Sequence, residues 1–149
     1  MRSIFIVIVA AAVFLGSIFA VEKKIGAKDL PPAVQKAVPR QTKGAEIKGY
    51  NLETEKGKTF YEVETMLNGK SRDLLFDASG ALVEVEEEIA LDSIPSAAKA
   101  AIEKRAANGK VNKVESVTRG QSVSYEAEIT SMTGKRSEVA VQADGSPMK

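Results

Sequence analysis

Carboxylates are the side chains of this sequence whose types and spacing could do chemistry. Glu62 and Glu64 stand two positions apart, as do Glu126 and Glu128. In an extended strand such neighbours share a face. Two acids held across a pocket can cleave a glycosidic bond, one as the acid and the other as base or nucleophile. Same-face acids on one flat strand do not converge on a substrate in that way. A solvated acidic face, opposite a core of Tyr, Val and Ile, is the simpler expectation. Lys58, Lys70, Lys135 and Arg136 lie close enough in sequence to pair with such glutamates across strands. The densest acidic stretch is Glu84, Glu86, Glu87 and Glu88. With Asp77 it offers oxygen ligands suited to Ca²⁺, but the Asp-x-Asp-x-Asp loop order is missing, and charge on an edge strand is an ordinary guard against stray pairing.

Other reactive chemistry is excluded by composition. The chain has no Cys and no His. Thiolate metal sites, cysteine nucleophiles and disulfides are therefore impossible, and the commonest general base near neutral pH is absent. Ser96 and Lys99 have Ser-x-x-Lys spacing at a helix start, yet the partner motifs of a Ser-Lys enzyme are lacking. No glycine loop of the phosphate-binding kind occurs either. Neither a cofactor nor a resident metal is expected. Lys110, Lys113 and Arg119 are basic and Tyr50, Phe60 and Tyr61 aromatic, but a nucleic-acid platform needs exposed rings among positive charge. Lys and Arg number 21 against 20 Asp and Glu, and Arg2 falls in the leader, so the remainder is formally neutral. No long-range pull on nucleic acid or anionic lipid follows from that balance.

That leader is residues 1–20. Met1-Arg2 is positive, Ile4 to Leu15 is almost continuously apolar, and Gly16-Ser17-Ile18-Phe19-Ala20 ends in small residues. This is the layout of a secretory signal peptide. A retained anchor is the alternative, since the apolar run approaches the length that spans a bilayer. Either way the folded part is expected in the periplasm or secreted, with no membrane insertion once the leader is removed.

The elements that must position the acids come in two similar sets. Tyr61-Glu62-Val63-Glu64 recurs as Tyr125-Glu126-Ala127-Glu128, 64 positions on. Asp29-Leu30-Pro31 faces Ser93-Ile94-Pro95, and Asp77-Ala78-Ser79-Gly80 faces Gln142-Ala143-Asp144-Gly145. Leu30, Ala33, Val34, Ala37 and Val38 have helical spacing, capped by Asp29 and ending before Pro39. Ile94, Ala97, Ala98, Ala101 and Ile102 repeat that stripe, with Ser93 as the cap and Asn108-Gly109 as the stop. Strands follow at Ile47 to Thr54, Thr59 to Leu67, Ser71 to Phe76 and Ala81 to Ile89, with Asn68-Gly69 reading as a type I′ turn. In the last of these, alternation sends Val83 and Val85 inward and Glu84 and Glu86 to water. The second set gives Lys110 to Thr118, Ser122 to Ser131 and Arg136 to Ala143. Pro147 then leaves its fourth strand missing or vestigial, with an edge either open or paired.

The order helix, hairpin, hairpin, carried by Leu30-Pro31 with Ile94-Pro95 and by the two Tyr-Glu strands, resembles the PepSY-like exported domains. Tandem copies of that unit are similar to the beta-lactamase inhibitory protein fold. The resemblance implies an α+β protein of two helix-plus-antiparallel-meander units, residues 27–90 and 91–149, with helices on one face of a curved antiparallel sheet. It also implies a non-enzymatic envelope module that inhibits or regulates a peptidase or other hydrolase. The candidate binding surface is either a sheet face bearing Tyr50, Glu62, Glu64, Glu126 and Glu128 or the open edge left by the shortened second unit, and the partner is an envelope protein or peptide. A structural or sensory domain binding a peptide, cell-wall fragment or cation is the second expectation, and an acid-dependent hydrolase the third. Oligomeric state stays open.

Overall fold

The structure, a computed structural model, describes residues 21–148. The leader, with its alternatives of cleavage and anchoring, lies outside the described residues. Among those described, no helix is long and apolar enough to cross a membrane. The protein is α+β, with two helices and one eight-stranded antiparallel sheet. The strands are β1 (Val21–Ile25), β2 (Glu46–Glu55), β3 (Lys58–Leu67), β4 (Lys70–Phe76), β5 (Leu82–Glu88), β6 (Lys110–Arg119), β7 (Ser122–Thr130) and β8 (Arg136–Gln142). They lie in sequence order across the sheet. Helix α1 (Pro32–Gln41) precedes β2, and α2 (Ser96–Ala106) precedes β6. Short 3-10 turns, Ala27–Asp29 and Leu91–Ser93, lead into the helices.

Strand β1 lies in a stretch where the sequence offers no strand signal of its own. Val21-Glu22-Lys23-Lys24-Ile25 is too short and too charged to stand out until it is set beside Val85-Glu86-Glu87-Glu88-Ile89. Its register on β2 matches that of β5 on β6: Val21 pairs with Thr54 as Val85 pairs with Thr118, and Lys24 with Asn51 as Glu88 with Glu115. The observed order of strand, 3-10 turn, helix and three strands therefore occurs twice, beginning at β1 rather than at the helix.

Each helix covers its own core on one sheet face. Val34, Ala37 and Val38 of α1 pack with Leu30, Val63, Leu74 and Phe76. Ala98, Ile102 and Ala106 of α2 pack with Ile94, Val114, Ala127, Ile129 and Val141. The small Ala residues let both helices lie close to the sheet. Helix α1 does not end before Pro39. That residue sits inside it, exposed, and the turn continues through the Thr42 N–H to the Val38 carbonyl at 2.9 Å. Proline forfeits one N–H bond to Gln35, whose carbonyl faces solvent. The expected caps also differ. The Asp29 carboxylate accepts from the Gly26 N–H at 2.8 Å, and the Ser93 hydroxyl donates to the Ala90 carbonyl at 2.6 Å. Both serve the 3-10 turns, while Pro31 and Pro95 occupy the N-caps.

Turns hold the helices to the sheet from below. Asn68-Gly69 has positive φ at both residues, as a type I′ turn requires. Gly80 and Gly145 end equivalent turns with φ of +81° and +82°, and a Cβ on either would lie 2.7 Å from the Ala33 carbonyl oxygen or 2.6 Å from that of Ala97. Gly80→Ala and Gly145→Ala should each destabilise the fold by ~3 kcal/mol, combining left-handed strain with the collision. Gly69→Ala, whose added Cβ meets nothing within 4 Å, should cost about 1 kcal/mol. Urea denaturation of the three variants checks that order.

Candidate functional site

Alternation along the strands dictates what the helix-free face carries. Val63, Leu74 and Val85 face the helices. Their neighbours one step along therefore face away. Rows across the sheet on that second face run Lys24, Asn51, Glu62, Leu75, Glu84; then Asp73, Glu86, Val117, Ser124; then Glu88, Glu115, Glu126, Ala140; then Lys113, Glu128, Glu138. Acids dominate these rows, and Lys24, Lys113 and Arg119 are among the few cations present.

The expected site is split by this register. Glu62, Glu64, Glu126 and Glu128 do share the helix-free face. Tyr50 does not: it pairs with Val63 and Ile25 and packs on the α1 core. Tyr61 and Tyr125 likewise pack against the two cores. The reading of β5 also needs correction. A register shift between Leu75 and Phe76 puts Leu82 opposite Phe76, so Leu82 and Val85 join the core, and Val83 belongs to neither core cluster. Glu84 is buried at 5 % exposure and paired with Arg119, and Glu86 is half-buried. Neither stands free in water. Glu87 lies on the helix side, bonded to Arg72 at 2.9 Å. Asp77 is remote from all of them, its carboxylate accepting from the Ser79 N–H and hydroxyl and from the Ala81 N–H. The sequence-based calcium group is thereby dispersed.

Residues that the sequence did not single out tie the face together. Asn51, 3 % exposed, donates from one amide nitrogen to Glu62 Oε2 at 2.7 Å and to Glu64 Oε1 at 3.0 Å. The Thr65 N–H donates to Asp73 Oδ1 at 3.0 Å. Ser71 Oγ lies 3.4 Å from Glu88 Oε2 and 3.3 Å from Glu115 Oε1, and Lys113 Nζ stands 2.5 Å from Glu115 Oε1. Period-two counting along β6 breaks at a bulge between Val111 and Lys113, which hides from a sequence reading that Lys113 and Glu115 lie on this face.

Crowding of half-buried acids raises their proton affinity. Burial pushes Glu62 up to about 8, opposed by the Asn51 hydrogen bond and reinforced by Glu53, Asp73 and Glu22. Glu53 rises to about 6 for the same first reason, with Glu22 and Glu55 adding to it. Glu86 is raised by burial and then by Glu126 and Glu115; Glu126 is raised by burial and then by its hydrogen bond and charge repulsion with Glu138. Asp73 moves the same way, again chiefly through burial.

Chemically, the arrangement can hold protons or attract cations. Oxygens of Glu22, Glu62 and Glu64 lie within 4.8 Å of one another, as do those of Asp73, Glu86 and Glu115. Each triad could furnish part of a hard-cation shell. Glu53, Glu62, Asp73, Glu84 and Glu86, with Leu74 and Leu75, line a depression of about 190 Å³ that includes open solvent. That is smaller than a typical small-molecule site.

A carboxyl whose pKa is raised on folding stabilises the fold below its unfolded value of about 4.5. Its contribution is lost as pH rises through the folded value. The protein should therefore melt higher at pH 5 than at pH 8.5. Glu62→Gln, which keeps the acceptor for Asn51, should recover on the order of 2 kcal/mol at pH 8.5 after discounting for solvent screening, and little at pH 5. Thermal melts across that range check it.

The family described as "Putative beta-lactamase-inhibitor-like, PepSY-like" matches residues 19–82 and 59–146. No curated protein matches the chain. Among solved structures it is similar to one from Bacteroides eggerthii described under "putative periplasmic proteins", at 18 % identity and TM-score 0.65, over 80 % of this chain and 86 % of that one. A DUF2874 family protein of Bacteroides uniformis matches at 18 % identity and TM-score 0.63, with the same coverage. A BLIP-like protein of Bacteroides fragilis matches at 19 % identity and TM-score 0.56, over 80 % and 84 % of the two chains. These likenesses show a shared fold.

Proposed function

The chain belongs to the beta-lactamase-inhibitor-like, PepSY-like family, and from that premise we propose that it is a non-catalytic periplasmic binding module. Its helix-free sheet face docks a cationic surface of an envelope protein or peptide. The observation that carries this reading is the segregation of charge: a formally neutral chain concentrates Glu62, Glu64, Glu86, Glu115, Glu126 and Glu138 on one sheet face. Lys36 and Arg40 of α1 and Lys104 and Arg105 of α2 lie exposed on the opposite, helical layer. A basic group docked on this face favours the charged form of its carboxyls, displacing the protons they retain, and the resulting pairs fix its orientation. Inhibition of a peptidase or other hydrolase by occlusion is the form this binding takes when the partner is an enzyme. The description of the Bacteroides eggerthii neighbour as periplasmic and the export-type leader support the compartment. We further read the chain as two tandem units, Val21–Phe76 and Leu82–Gln142, which relocates the boundary expected at residue 90 to the turn before β5.

A second reading, a sensory or structural domain that takes a divalent cation, is favoured by the two carboxylate triads. The two readings separate in one experiment. Partners captured from the envelope fraction by the protein should be released as salt rises, and should be lost when Glu62, Glu64, Glu126 and Glu128 are changed together to Ser. Calcium titration by calorimetry should register no saturable heat under the first reading. Saturable binding lost in Asp73→Asn, without any salt-sensitive partner, would establish the second.

A further inference from the structure

Inside the chain, β5 is sandwiched between β4 and β6. On one side Val85, Glu86 and Glu87 pair with Leu74, Asp73 and Arg72; on the other they pair with Thr118, Val117 and Ser116. The same two half-joints exist separately at the ends of the sheet. Strand β1 pairs with β2 in the register that β5 uses with β6, and its other edge carries no strand among the described residues. Strand β8 stands to β7 as β4 stands to β3, since Tyr125 faces Val141 and Ala127 faces Val139 where Tyr61 faces Phe76 and Val63 faces Leu74. Its outer edge is covered only in part. Pro147 bridges Val141, and the Met148 N–H donates to the Ala140 carbonyl at 3.1 Å. From Arg136 to Val139 the outer edge has no strand beside it among the described residues.

We propose that β1 of a second copy of this chain pairs antiparallel with β8, reproducing the β4–β5 joint between molecules. In that register Val21 stands opposite Val139, Glu22 opposite Glu138, Lys23 opposite Ser137 and Lys24 opposite Arg136. The C-terminal segment through Met148 takes Val141 and Ala140, and the incoming strand takes the next four positions. Backbone direction also agrees. The Ala140 carbonyl points outward to Met148, so by alternation Glu138 and Arg136 present their backbone groups to the same edge. In β5 the Ile89 N–H donates to Val114 on β6, which leaves Glu86 and Glu88 turned toward β4; Glu22 and Lys24 are their counterparts in β1. The Glu22–Glu138 pair repeats the Glu86–Asp73 pairing already present within the chain. Lys24 opposite Arg136 and Glu22 opposite Glu138 are like-charge contacts, offset in part by the Lys24–Glu138 and Glu22–Arg136 diagonals, and they keep the joint weak. Because the two surfaces differ, the association is head-to-tail and builds rings or open chains rather than a two-fold dimer.

The test uses the purified protein and two kinds of variant. Sedimentation of the wild-type protein should show dimers and longer species growing with concentration. Lys24→Glu, which removes the like-charge contact with Arg136 and restores the acid found at Glu88, should shift that growth to several-fold lower concentration. Glu138→Pro, which removes an outward N–H from an edge strand without touching the β7 side, should leave a monomer with unchanged circular dichroism. Because the chain has no cysteine, mixing Lys23→Cys with Ser137→Cys under oxidation should give a disulfide-linked heterodimer, and mixing Lys23→Cys with Ser131→Cys should not. A protein that stays monomeric to ~1 mM, the scale of weak encounters, overturns the proposal. So does association indifferent to Lys24→Glu, or cross-linking equal in the two mixtures. Lys23 and Ser137 share the helix side with Ile25 and Val139, so the cross-linking readout leaves the acidic face untouched, and its failure leaves the binding proposal standing.

Discussion

One constraint governs the molecule: a single antiparallel sheet has two faces, and the two helices cover only one. Every side chain that the strands cannot hide beneath α1 or α2 must be accommodated on the other face. Period-two alternation makes the assignment rigid, because slipping a strand by one residue would exchange core and surface completely. Val63 under α1 therefore forces Glu62 and Glu64 outward, and Ala127 under α2 does the same to Glu126 and Glu128. Burial of the first group is the driving force, and placement of the second is its consequence.

That placement is costly in an ordinary folding sense. Desolvating like-charged carboxylates beside one another stores unfavourable energy unless protons or cations relieve it. The chain relieves it in several ways. Asn51 shares one amide between Glu62 and Glu64, Arg119 pairs with Glu84, and Lys113 reaches Glu115. Proton retention covers much of the rest, as the raised values of Glu62 and Glu53 show. A surface poised in this way exchanges a proton for a cationic group at modest cost. This is the physical link between the fold and the proposed binding role.

Much of this was legible in the sequence, and the failures have identifiable causes. The two helices, the turn glycines and seven of the eight strands follow from repeated short motifs and alternation. Strand β1 escaped because its identity rests on likeness to Val85–Ile89 and not on any pattern of its own. Tyr50 packs on the α1 core rather than among the acids of the expected sheet face. The bulge between Ile47 and Gly49 and the pairing with Val63 settle its face, and neither is visible before the partner strand is known. Glu84 and Glu86 were sent to water because strand alternation separates inside from outside. It does not say how closely neighbouring strands crowd the outer face, and pKa shifts arise from that crowding.

The central claim is that the helix-free face holds carboxyl groups which resist ionisation near neutral pH. Carbon-detected NMR titration of the glutamate side chains measures it directly. The account requires Glu62 to titrate near 8 and Glu86 and Glu126 to titrate well above the ordinary carboxylate range. Midpoints for all three close to those of the exposed glutamates would contradict it.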